Sequence, residues 1–144
     1  MTITRKDPVD VLIVAVQETA GSALYGMLDV LLAAGNIWQT LVRTGAEQTL
    51  FRVHIVSPTA EPFACGNGIP EVPDCSVADT PGAGIQQLPE RWLGPDEDIH
   101  GRHPELMDWI RHRYNEGSTL YSACSGSVMR AETGLHDGCE ATPP

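Results

Sequence analysis

Hydrophobic positions change period several times along this chain, and each change marks an element. Val9 to Val16, VDVLIVAV, is an almost unbroken apolar run rich in β-branched residues. A strand covered on both faces reads this way, which predicts the centre of a parallel sheet. Gln17 to Ser22 is polar and contains Gly21, so it reads as a loop at the strand's C-terminal end, with Ser22 placed to cap a helix. Leu24, Leu28, Leu31 and Leu32 recur at helical spacing, Gly35 ends or bends that helix, and Ile37, Trp38, Leu41 and Val42 continue a helical pattern up to Gly45. Phe51 to Ser57, FRVHIVS, alternates and stops at Pro58, which predicts a second strand with His54 on a sheet face or in the core. Strand, helix and strand at these spacings make a right-handed βαβ unit.

The middle of the chain is less regular. Gly66-Asn67-Gly68 is a turn signal between short extended arms, so Phe63 to Val72 reads as a small hairpin off the main sheet. Ala83 to Leu88 stands where a third main strand belongs, yet Gln86 and Gln87 are a poor fit to a central strand, because alternation sends one amide into each helix layer. Arg91 to Gly101 reads as a loop, and Pro104 opens a helix at its first turn. Leu106, Trp109, Ile110 and Tyr114 form that helix's apolar face, and Gly117 ends it. His100 and His103 form an HxxH pair that straddles a glycine and the helix start. Two imidazoles so placed lack the helical geometry that would aim both at one metal, and no metal or other cofactor is expected.

The chemistry concentrates in Ser118 to Gly134, STLYSACSGSVMRAETG. Thr119 to Tyr121 reads as a strand and Ser125 to Glu132 as a helix stopped by Gly134. Cys124 stands between them, flanked by Ser122, Ala123, Ser125, Gly126 and Ser127. A strand that turns sharply into a helix crowds its corner residue, and small neighbours make room for that turn. The pattern is a nucleophile elbow with Cys at the corner. The positive end of the following helix favours a thiolate there, and the Ser125 N–H becomes a candidate oxyanion donor. A buried, inert Cys124 at a strand end is the plainer alternative.

Composition narrows the setting. The chain has 144 residues, of which 42% are hydrophobic, with a mean hydropathy of -0.13. That suffices for one domain with a core. No apolar run is long enough to span a bilayer, and the N-terminal MTITRKDPVD has no apolar stretch behind its basic residues. Cys65, Cys75, Cys124 and Cys139 lack CxxC spacing, so free thiols in a cytoplasmic setting are expected. A formal net charge of -10 repels phosphate backbones and argues against direct nucleic-acid binding.

Taken together, the βαβ unit, the hairpin insertion and the Cys elbow resemble the ThiJ/PfpI family of class I glutamine amidotransferase-like domains. TLYSACSGSVMRAETGLHDGCEAT is similar to the segment of the amidotransferase-like sensor domain in AraC-family transcription regulators. LYGMLDVLLAAG, with its Asp-Val, resembles that family's first helix, and PDCSVAD followed by PERWLGPDED resembles its middle section. The resemblance runs from Val9 to Thr142. It implies an α/β fold: a three-layer parallel sheet of flavodoxin-like order, a single domain over residues 1–144, incomplete at its C-terminal side.

The departures from the family pattern bear on function. The sequence reaches Pro143-Pro144 without the family's His-Trp, so the usual imidazole partner of the cysteine is missing, and no helix-turn-helix pair follows. Arg130 and His136 stand where the family carries leucine, and Ala23 stands where many members place a glutamate beside the cysteine, with Glu18 a few residues earlier as a substitute. The resemblance therefore implies a sensing and dimerisation domain without catalysis, with an unidentified small-molecule ligand near Glu18 and Cys124 and a homodimer as its assembly. A Cys-dependent hydrolase, amidase or hydratase with Cys124 as nucleophile is the alternative. It needs a base, and His54, His100, His103, His112 and His136 are the imidazoles available. An inactive gene fragment is the third reading.

Overall fold

The computed structural model describes residues 7–43 and 48–140. In chain order the elements are β1 (Val9–Val14), α1 (Gly21–Ala33), α2 (Ile37–Val42), β2 (Phe51–Ser57), β3 (Phe63–Ala64), β4 (Pro70–Glu71), β5 (Cys75–Ser76), β6 (Ile85–Leu88), α3 (Pro104–Asn115), β7 (Thr119–Ser122) and α4 (Gly126–Glu132).

The apolar run becomes the middle of a five-stranded sheet in the order β5-β2-β1-β6-β7, with every pairing parallel. Val11, Leu12 and Ile13 are wholly buried, because neighbours lie on both sides and helices above and below. β1 pairs with β2 along its whole length, from Val9 opposite Phe51 to Val14 opposite Val56. This is the flavodoxin-like α/β order, extended by the two-residue edge strand β5 beside β2. β5 was not anticipated, since two residues carry no readable period.

Alternation divides the core. Leu12, Val14, Val16, Val56, Leu88 and Leu120 face α3 and α4, where Leu106, Met107, Ile110 and Met129 meet them. Ile13, Ala15 and Ile55 face α1, where Leu24 and Cys65 close the layer. The second layer covers β1 and β2 but not the far strands. On that face Gln87 is half-buried and Tyr121 is 52% exposed. The three layers are therefore complete over only half of the sheet.

Ile85–Leu88 is the central strand its position demands, with Gln86 wholly buried on the α3 side and Gln87 on the open one. The hairpin forms from β3 and β4, paired antiparallel around Asn67, whose φ is 62°. It docks on α1 through Tyr25, whose hydroxyl donates to Glu71 at 2.5 Å. That bond to a nearby carboxylate is the main reason the phenol is pushed up to about 12.

Two local expectations are corrected and one is met. α1 begins at Gly21 with Ala20 as its cap residue and no side-chain cap, so Ser22 lies inside the first turn instead of capping it. The helix ends at Ala33 and the chain bends at Gly35, as the pattern predicts, with a φ of 82°. A Cβ on Gly35 would lie 2.5 Å from the Gln48 carbonyl oxygen, so the chain needs glycine at that bend. The expected end at Gly45 lies outside the described residues. Finally, Met107 and not Tyr114 completes the buried face of α3, and Tyr114 is 43% exposed.

Candidate active site at the strand ends

Cys124 lies between β7 and α4, with its backbone in the left-handed region at φ 47°. A non-glycine residue held there is strained by roughly 1–3 kcal/mol and persists only where its surroundings over-determine it. Two neighbours do so. The Ala123 N–H donates to the Leu88 carbonyl at 3.0 Å, tying the end of β7 to β6. Gly126 presses the first turn of α4 onto the same strand end: a Cβ there would lie 2.3 Å from the Leu88 carbonyl oxygen and 2.6 Å from that of Pro89. A side chain at Gly126 would push the turn open, so the small residues around the cysteine are a packing requirement.

Cys124 is exposed, as is Cys139, whereas Cys65 is buried and Cys75 half-buried; all four are free thiols. The buried, inert cysteine thus describes Cys65. Burial, helped by the Glu71 charge, pushes the Cys65 thiol up to about 11, and burial likewise raises Cys75. Ser125 uses its side chain structurally. Its Oγ accepts from the Arg91 N–H at 2.8 Å and donates to the Arg91 carbonyl at 2.7 Å, which clips the elbow to the loop after β6. The Ser125 N–H makes no hydrogen bond among the described residues, so the backbone donor proposed from the sequence is unengaged.

Arg91 leads to a second cluster. Its side chain is 4% exposed, and Nη2 lies 3.6 Å from Glu18 Oε2. Glu18 Oε1 accepts from Arg102 Nη1 at 2.7 Å, and Oε2 lies 3.2 Å from His103 Nε2. The His103 bond and then the Arg102 bond hold the Glu18 carboxyl far below the usual carboxylate range, against the opposing effect of burial. Burial in turn lowers the Arg91 pKa, and Glu18 works against that shift. Arg102 also reaches Glu97 Oε1 at 2.5 Å. The loop after β1 is threaded into this region by the Trp92 N–H, which donates to the Glu18 carbonyl at 2.6 Å, and by the Ala20 N–H, which donates to that of Glu90 at 2.8 Å.

The cluster stands where the connections from β1 and from β6 leave the sheet in opposite directions, the switch point at which open α/β sheets bind ligands. Sequence reading selected Glu18 and Cys124. No hydrogen bond or ion pair joins those two among the described residues; the link runs Glu18–Arg91–Ser125–Cys124. Arg91 and Arg102 were not anticipated. They lie far from Glu18 in sequence and on no periodic face, and only the position of Glu18 just past the first parallel strand signalled the place.

The HxxH pair is divided. His103 goes to Glu18, and His100 Nδ1 lies 2.5 Å from Glu132 Oε1, which fastens the loop before α3 to the end of α4. Among the described residues no group of three or more His, Cys, Asp or Glu side chains is arranged to hold a metal ion. His54 lies half-buried in β2, and His112 pairs with Glu116 across a turn of α3.

No family model matches this sequence, and no curated protein matches it. Solved structures do. A Vibrio parahaemolyticus protein provisionally described as a transcriptional regulator superposes with a TM-score of 0.70 at 21% identity, over 91% of this chain and 64% of that one. An AraC family transcriptional regulator from Pseudomonas putida gives 0.65 at 16% identity, over 92% and 64%. Drosophila melanogaster DJ-1beta gives 0.62 at 16% identity, over 90% and 62%. The chain thus spans slightly less than two thirds of the length of these relatives. A ThiJ/PfpI family protein from Pseudomonas syringae, at a TM-score of 0.64, has the same architecture. With this parallel strand order and these superpositions, the chain has the fold of the ThiJ/PfpI and DJ-1 proteins.

Proposed function

We propose that this chain is the sensing and dimerisation portion of an AraC-type regulator and that its elbow does not turn over substrate. The carrying observation is the state of Glu18. The carboxylate tied to the elbow through Arg91 and Ser125 spends its oxygens on Arg102 and His103, and no acid or imidazole among the described residues hydrogen-bonds Cys124. A thiol without a base to take its proton is a poor catalytic nucleophile. The regulators among the structural relatives support this assignment. On this reading Cys124 and Glu18 contribute to ligand response, the protein works in the cytoplasm as a homodimer, and DNA contact belongs to a separate domain, because a chain of net charge -10 repels phosphate.

The test compares wild type with Cys124→Ser on methylglyoxal, glutamine and p-nitrophenyl acetate. The reading predicts no turnover that depends on Cys124. Turnover by wild type that disappears in the variant would establish the alternative, a Cys-dependent enzyme. The strained Cys124 backbone and the unengaged Ser125 N–H favour that second reading. Sedimentation equilibrium tests the assembly, with a dimer expected and a monomer at all concentrations contradicting it.

A further inference from the structure

Beyond the elbow, a concave feature with polar groups in its lining lies past the C-terminal ends of β1 and β2. It is a cleft of about 390 Å³, to which Cys124 and Ser125 contribute nothing. That volume falls within the range of small-molecule sites. The floor is Val16, just past the end of β1, and Phe63 from the start of the hairpin forms one wall. Pro58 and Pro62 bracket the loop that carries the rim and fix its backbone.

The lining has a one-sided chemistry. Among the described residues Glu61 is its only carboxylate, and no lysine or arginine lines it. Ser57 is buried, and its hydroxyl already donates to the Thr59 carbonyl, which leaves its lone pairs to accept. His103 touches the cleft, but its Nε2 faces Glu18. The cleft therefore offers acceptors and negative charge on an apolar floor, within a chain of net charge -10. Phosphates and carboxylates find no lysine or arginine there, and the His103 Nε2 is already taken up by Glu18. An ammonium group, with three donors and no acceptor, matches it. From these residues we infer that the cleft binds a small primary amine with an apolar body, its ammonium on Glu61 and Ser57 and its hydrocarbon against Val16 and Phe63. The inference does not depend on whether the elbow is catalytic.

Isotope-labelled protein titrated with butylamine and 2-phenylethylamine, and in parallel with butyrate and phenylacetate, tests it. We expect the amines to shift the Ser57, Thr59 and Phe63 amide signals saturably with a Kd of about 1 mM or tighter. The carboxylates, with the same hydrocarbon bodies, should leave these signals in place. Glu61→Gln keeps size and loses charge on an exposed rim, and should weaken amine binding about tenfold or more; an unchanged spectrum away from the cleft verifies that the variant is folded. Amines that leave these signals unmoved at 10 mM (roughly ten times the expected Kd), carboxylates that bind equally well, or an unaffected Glu61→Gln would each overturn the proposal. Any of these results leaves the Cys124 turnover comparison unaffected.

Discussion

Gly126 holds the corner turn against the Leu88 carbonyl by close packing, and Glu18 holds its loop through charge-assisted bonds to His103 and Arg102. Gly126 was readable as one of the small residues a tight strand-to-helix turn demands. Its neighbour, the Leu88 carbonyl, was not readable, because that contact is made across the sheet. Gly126→Ala should lower stability by about 1–3 kcal/mol, as overpacking against backbone does. A urea melt checks this, and an unchanged midpoint would mean that the turn is not seated on β6. Glu18 makes a prediction in pH. Its folded pKa is depressed by His103 and Arg102 below the ordinary 4.5. The unfolded chain therefore binds the proton first, and the stability that Glu18 contributes is present above 4.5 and is lost as the pH falls below it. Glu18→Gln should flatten the fall of the urea midpoint between pH 5 and pH 3 (about the span over which an ordinary carboxyl titrates). An equally steep fall in the variant would show that Glu18 is not the group responsible.

Elements with a strong period were readable, and those set by tertiary pairing were not. β1, β2 and α3 follow from their apolar patterns, whereas β5 follows only from its pairing with β2. β6 is the instructive case. Its composition argues against a central strand, and its place between β1 and β7 overrides that composition. The cost is visible at Gln86, whose Nε2 reaches the Ile110 carbonyl at a long 3.4 Å and whose Oε1 is buried without a partner among the described residues. An unsatisfied buried amide costs roughly 1–3 kcal/mol. Gln86→Leu, close in volume, should therefore raise the urea midpoint, by an amount equivalent to about 1 kcal/mol. Gln87 lies on the open face and pays no such cost, so Gln87→Ile should leave stability unchanged. If Gln87→Ile stabilised as much as Gln86→Leu, the second face of β6 would have to be covered.

At the scale of the molecule, one arrangement links the pieces. The parallel sheet brings the loops after β1, β6 and β7 to one edge, and there the Glu18 cluster is tied through Arg91 and Ser125 to the corner cysteine. The edge itself was legible, since a parallel sheet gathers such loops at one end, but the ties were not, because each joins residues distant in sequence. The four cysteines sample separate regions of this arrangement: Cys65 lies in the α1 layer, Cys75 on the edge strand, Cys124 at the elbow and Cys139 beyond α4. Brief iodoacetamide treatment from pH 5 to pH 9 (about the range over which ordinary and activated thiols ionise), followed by peptide mapping, therefore tests the elbow against the whole fold. The account predicts that Cys124 is alkylated first, because it is presented at the start of a helix beside an unengaged N–H, with Cys139 next and Cys65 and Cys75 last. Modification of Cys65 or Cys75 ahead of Cys124 would contradict the elbow and the layering that presents it.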